Sequence, residues 1–218
     1  MARSFAANGA RVVLVARGLE ALRALADELG HGASAIACDL TDAQAVDRMV
    51  HQTIAELGDA PDIVVNNAGI FEVARLDQMP VELFRRVVDT NLFGPFLVVR
   101  GFVERMRARG SGHFVTLGSI ADRNVFPENG AYSPAKFAAR AMHEVLRDEL
   151  RGSGVRATLV SPGPVDTAMW DGIQFGEMER VAPDRSNMLP AGAVAAAVLY
   201  AVSQAAGVNV DELRLSHS

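Results

Sequence analysis

A doubly wound α/β fold, three layers deep with helices on both faces of a parallel sheet, is the architecture this chain predicts. Two observations carry it. Short runs rich in β-branched residues alternate with longer amphipathic stretches, and no linker, internal repeat or low-complexity tract divides the 218 residues. Parallel strands require long crossovers, and right-handed helical crossovers lay successive helices against the sheet. A single Rossmann-like domain over residues 1–218 follows.

The chain opens on "MARSFAANGA", a helical stretch ending at Gly9, a residue suited to a helix terminus. The first strand is "RVVLVA" (11–16), and a helical pattern over 19–29 leads to "ASAIAC" (33–38). A helix over 42–57 precedes "DIVVNN" (62–67), and one long helix is expected over 81–109 before "GHFVTLGS" (112–119). The next helix, 131–152, tolerates Pro134 in its first turn, where no intrahelical donor is lost. "VRATLVS" (155–161), a helix over 191–205 and a weaker strand "ELRL" (212–215) complete the pattern. The longest irregular stretch, Pro162 to Pro190, is rich in Gly, Pro, Met and aromatics, as lids and binding segments are.

Half of the residues are hydrophobic, yet no apolar run approaches the roughly 20 residues of a membrane helix. No secretory leader is evident, and the single cysteine, Cys38, fits a reducing compartment, so a soluble cytoplasmic protein is expected. The net charge of −5 offers no basic footprint for nucleic acid. The five histidines have no ligand spacing, and no metal site is expected.

Site chemistry concentrates in "GSIADRNVFPENGAYSPAKFAAR". Tyr132 and Lys136 stand four apart at a helix start and share a face. A phenol with a reference pKa of about 10 is a poor acid or base at neutral pH, and a neighbouring ammonium brings it toward the working range. Tyr132 can then exchange a proton with an alcohol or carbonyl oxygen, to which Ser119, at a strand end, would add a hydrogen bond. Taken alone, the pair also fits an ordinary surface helix.

The pair is not alone. "NNAG" at 66–69, Asn91 in "VVDTNLFGPF", Ser119, "YSPAK" from Tyr132 and "SPGPVDT" at 161–167 occur in an order and spacing that resembles the short-chain dehydrogenases/reductases over essentially the whole chain. The resemblance implies an oxidoreductase that interconverts a secondary alcohol and a ketone by hydride transfer. Tyr132 would be its general acid/base, Ser119 would orient the substrate oxygen, Lys136 would hold the nicotinamide ribose and lower the tyrosine's pKa, and Asn91 would hold a relay water. It places Asp39, Asn66, Ala68, Gly69, Pro162, Gly163, Val165 and Thr167 on the cofactor. A helix cap for Asp39 and a plain turn for "NNAG" are the structural alternatives. Arg17 follows the strand where an acid would bond a ribose 2′-hydroxyl, and its guanidinium suits a 2′-phosphate, so NADP(H) is expected rather than NAD(H). An exposed arginine at a helix start is the alternative.

Ile120, Phe126, Met169, Trp170, Phe175 and Met178 suggest a partly apolar substrate pocket, although such residues equally fill cores and dimer interfaces. The ending "AGVNVDELRLSHS" resembles the family branch with 3-hydroxy acid and serine dehydrogenases, which hints at a hydroxy acid. A homodimer or homotetramer is implied, with the helices at 81–109 and 131–152 as the interface. One departure stands out: the family begins with a strand and a glycine-rich turn, and "MARSFAANGA" matches only the helix after them. The first central strand and the phosphate cradle are therefore expected to be missing, with the chain incomplete at its N-terminus. Each unpaired buried backbone group at the strand edges would cost about 1–3 kcal/mol. A family-derived binding or assembly partner without cofactor is the alternative reading.

Overall fold

The computed structural model describes residues 1–173 and 184–218. All six expected strands form, and each pairs in parallel. Helix α1 (Ala2–Ala7) leads into β1 (Val13–Ala16), α2 (Leu19–Leu29), β2 (Ser34–Ala37), α3 (Ala43–Leu57) and β3 (Ile63–Asn66). There follow α4 (Val81–Val88), α5 (Gly94–Arg109), β4 (Gly112–Leu117), α6 (Tyr132–Glu149) and β5 (Val155–Pro162). Two short strands, β6 (Val165–Asp166) and β7 (Leu189–Pro190), pair with each other before α7 (Ala191–Val202) and β8 (Glu212–Leu215) close the chain.

Hydrogen bonding divides the main strands into two sections, β1-β2 and β3-β4-β5-β8, with no ladder between them among the described residues. Side chains alternate between the two faces as the strand period requires. Phe114 of β4 and Val64 of β3 join Ile36 of β2 in a core with Val46, Met49 and Val50 of α3 and Leu97 and Phe102 of α5. Their neighbours Val115 and Val65 face the other way, toward Val194 and Val198 of α7.

The long helix expected over 81–109 is broken. Asp89–Phe93 form a π-helical turn between α4 and α5. Pro95 has no N–H for the carbonyl four residues back, so the α ladder cannot run straight through, and the turn widens there. This widening turns Asn91 inward, where it is 2 % exposed.

Two buried histidines sit on the site-bearing elements. His113 of β4 pairs through Nε2 with Thr158 Oγ1 at 2.7 Å, and His143 of α6 through Nδ1 with Thr116 Oγ1 at 2.9 Å. The other nitrogen of each ring is buried without a partner among the described residues. Burial lowers both pKa values to about 4. The folded state thus keeps the rings neutral, while the unfolded chain takes up protons near pH 6.5. Stability should be unaffected by these rings above pH 6.5 and fall as the pH drops from 6.5 toward 4, by at most about 3 kcal/mol per ring. Urea unfolding between pH 7 and 5 should show that loss, and the slope should flatten in a His113→Asn, His143→Asn double variant.

Candidate active site

The C-terminal ends of β3, β4 and β5 open into a cavity of about 550 Å³, the place where open α/β sheets take ligands. Asn91, Ser119, Tyr132 and Lys136 all line it, with Gly69, Pro162, Gly163, Val165 and Thr167. Arg17, Asp39, Asn66 and Ala68 are not on its lining.

Ser119 lies just past β4 and caps the single 3-10 turn Ile120–Asp122, accepting a bond from Ala121 N at 3.1 Å. Tyr132 starts α6 and shares a hydrogen bond with the Ser119 side chain. Lys136, one turn further along α6, lies over the Tyr132 ring, 5.7 Å from its centroid, and donates to Leu117 O at 2.9 Å. Asn91 is held from three sides: its Nδ2 donates to Ile70 O and to Val87 O, each at 2.9 Å, and its Oδ1 accepts from Ile70 N at 3.2 Å.

Burial governs the electrostatics. It lowers Lys136 to about 8, against the opposing pull of the Asp122 charge. The same burial raises the Tyr132 phenol, assisted by Asp122 and countered by the Ser119 hydrogen bond. This differs from the expectation that Lys136 brings the phenol down. The ammonium is committed to a carbonyl, and desolvation of the phenolate outweighs it.

At the other section of the sheet, Arg17 lies exposed just beyond β1, and its charge acts on Asp39. Asp39 Oδ1 accepts from Thr41 N at 2.9 Å and from Thr41 Oγ1 at 2.8 Å, which holds the carboxyl below its ordinary pKa. The cap of α3 is Asp42, so the helix-cap alternative for Asp39 does not describe it. Asn66 ends β3 with its Nδ2 buried and unpartnered among the described residues, and Ala68 is exposed. Thr167 caps the turn Ala168–Trp170.

Ile120, Phe126, Met169 and Trp170 line the cavity as expected, whereas Phe175 and Met178 lie outside the described residues. Phe71, which sequence reasoning missed, packs edge-on to Tyr132 at 4.9 Å and against Trp170 at 5.2 Å. Also missed were Asp122 and Ser161, whose side chains meet behind Ser119. A signal existed for Asp122, because Ser119 and Asp122 have the Ser-x-x-Asp spacing of a capping box, and the box is formed.

The lysine site fits a nicotinamide nucleotide. Lys136 Nζ has three donors and spends one on Leu117 O, leaving donors for ribose hydroxyls in a cavity bordered by Gly163 and Thr167.

The sequence profile of the short chain dehydrogenase family matches residues 1–177. An uncharacterised oxidoreductase of Staphylococcus epidermidis is 32 % identical over 215 residues, spanning 99 % of this chain and 90 % of that protein. Among solved structures, the closed form of a serine dehydrogenase complexed with NADP+ is similar at TM-score 0.89 and 29 % identity, covering 97 % of this chain and 87 % of that one. An alcohol dehydrogenase of the archaeon Thermococcus sibiricus, complexed with 5-hydroxy-NADP, matches at TM-score 0.87 and 27 % identity, covering 99 % and 89 %.

Lys136 carries a pH signature. The folded state disfavours its charged form, so its penalty is full below pH 8 and relieved as the pH rises from 8 toward 10.5. Relative to wild type, Lys136→Met should therefore be most favourable to stability near pH 7 and lose up to about 3 kcal/mol of that relative advantage toward pH 10.5. Unfolding curves of both proteins at pH 7 and pH 10 check the sign.

Proposed function

Because this chain belongs to the short-chain dehydrogenase family and is thereby an NAD(P)-dependent oxidoreductase, we propose that it interconverts a secondary alcohol and a ketone, using NADP(H) and an apolar carbonyl compound of small or medium size. The observation that carries this reading is that Ser119, Tyr132 and Lys136 line a single cavity, Ser119 acting on the Tyr132 phenol and Lys136 lying over its ring. Residues 1–218 act in it as one cofactor-binding domain.

The bound nicotinamide supplies or accepts the hydride. Tyr132, whose phenol burial keeps protonated at neutral pH, gives its proton to the carbonyl oxygen in reduction and takes it back in oxidation. Ser119 directs a hydrogen bond at that oxygen. Lys136 holds the ribose with the donors that Leu117 leaves free. Asn91, fixed between Val87 and Ile70, borders the same space and positions the relay water.

Arg17 supports NADP(H). The chain reads Ala16-Arg17 after β1 with no acid to meet a 2′-hydroxyl, and both structural neighbours described above carry NADP-type ligands. The cavity wall of Phe71, Ile120, Phe126, Met169 and Trp170 supports an apolar substrate. A 3-hydroxy acid finds less support, since Lys136 carries the one cationic side chain among the described lining residues. Exposed Phe84 and Phe96 on α4 and α5, with Phe137 and Val145 on α6, support pairing through these helices in a homodimer or homotetramer.

Tyr132→Phe should lower kcat by about 100- to 10,000-fold while leaving NADPH binding intact by fluorescence titration. Turnover at the wild-type level would sink the assigned role. Arg17→Ser should weaken NADPH binding about 10-fold or more, the worth of a charge-assisted hydrogen bond. NADH binding should change little, and an equal effect on both cofactors would refute the 2′-phosphate contact.

A further inference from the structure

Asp122 is fully buried, and the catalytic roles above make no use of it. Its Oδ2 accepts from Ser119 N at 3.2 Å and from Ser161 Oγ at 2.5 Å, while its Oδ1 accepts from Arg123 Nε at 2.7 Å. Arg123 continues to Glu212 on β8 at 2.6 Å. One carboxylate therefore ties together the second residue after β4, the penultimate residue of β5 and, through the guanidinium, the edge strand. The backbone makes room for it. A Cβ on Gly118 would collide with Asp122 Oδ2 and lie 2.6 Å from Ser161 Oγ.

The location matters more than the bond count. Ser119 is bonded to the Tyr132 phenol, and Ser161 immediately precedes the Pro162–Gly163 turn on the cavity wall. We propose that Asp122 is a positioning residue of the reaction: its carboxylate fixes Ser119 relative to the Pro162–Gly163 turn and provides the fixed negative charge beside Tyr132 and Lys136. The inference rests on the reading of Tyr132 as the acid/base.

The charged and titratable groups around the carboxylate are Arg123 on its own turn, Glu212 on β8, and Tyr132 and Lys136 on α6. Asp122 raises both α6 groups. Asp122→Asn removes the charge while keeping the size, so the phenol should ionise more readily. In alcohol oxidation, where the phenolate accepts the proton, the ascending limb of kcat/KM against pH should move to lower pH. A merely structural role would leave that limb in place.

The test is the pH profile of alcohol oxidation with NADP+ for wild type, Asp122→Asn and Ser161→Ala, with thermal melting of each. Asp122→Asn should lose about 10- to 100-fold in kcat, the effect of a slightly misplaced catalytic group, with KM for NADP+ changed less than about threefold and the limb shifted to lower pH. Ser161→Ala should lose less kcat and keep the wild-type limb, because the charge remains. An unmoved limb in Asp122→Asn, or a wild-type kcat in Ser161→Ala, overturns the proposal. Should Asp122→Asn fail to melt cooperatively, Ser161→Ala decides alone: lowered kcat with unchanged NADP+ binding supports the proposal, and unchanged kcat overturns it. Full activity of Tyr132→Phe would bring down both readings. Wild-type behaviour of the Asp122 and Ser161 variants beside an inactive Tyr132→Phe would bring down this one only.

Discussion

Side-chain packing across two sections of sheet that share no backbone ladder among the described residues is the constraint on which this structure depends. Strands β1 and β2 carry Arg17 and Asp39 just beyond their ends, while β3, β4 and β5 carry the residues around Ser119 and the Pro162–Gly163 turn. On one face, Val13, Val15 and Ile36 meet Val64 and Phe114 beneath α3 and α5. Gly101 lets those helices close together, since a Cβ there would lie 2.5 Å from Val50. On the other face α1 spans the junction, with Ala6 in the cluster of Leu14 and Ala26 and with Met1 and Phe5 in that of Val115 and Val198. The hydrophobic effect is non-directional, so register between the sections must come from the shape of the packed side chains. The distance between the residue proposed for the 2′-phosphate and the cavity that Ser119, Tyr132 and Lys136 line inherits its precision from that packing.

Much of this could be read in the sequence, and the reason is periodicity. A strand buried on both faces needs a run such as "RVVLVA" or "DIVVNN", and a crossover helix needs an amphipathic stretch, so element type and order were legible. The π-turn at Asp89–Phe93 was not, because Pro95 in "TNLFGPF" is compatible both with a helix start and with a widened turn. Ser119, Tyr132 and Lys136 were legible as a spacing, and the cavity brings them together with Asn91. Asp122 was hidden by its ordinariness. A Ser-x-x-Asp box usually caps a helix at the surface, and only the fold shows that β5 and β8 bury this one.

The direction of the Tyr132 shift was equally illegible, and it changes how the proposed catalytic pair works. Spacing along a helix places an ammonium near a phenol, but the sign of the shift depends on how much water each group loses. Here both neutral forms are favoured, Tyr132 by a raised pKa and Lys136 by one lowered to about 8. Without an opposing charge, the pair would drift toward a neutral amine with a tightly held phenolic proton. Asp122 works against only half of that drift. It helps Lys136 stay charged and at the same time strengthens the phenol's hold on its proton.

The Ser119 hydrogen bond supplies the remaining correction, since it favours the phenolate. Asp122 and Ser119 therefore act on the tyrosine in opposite directions, yet the carboxylate also fixes the backbone of the serine that opposes it. Position and charge are coupled through three consecutive contacts: Ser161 to Asp122, Asp122 to Ser119, and Ser119 to Tyr132. A displacement of the Pro162–Gly163 turn would pull on Ser161 and, through the carboxylate, alter the hydrogen bond that opposes the effect of burial on the phenol. The segment that borders the cavity is thus mechanically joined to the group proposed to move the proton, and buried polar contacts, being costly to leave unmade, give that joint its stiffness.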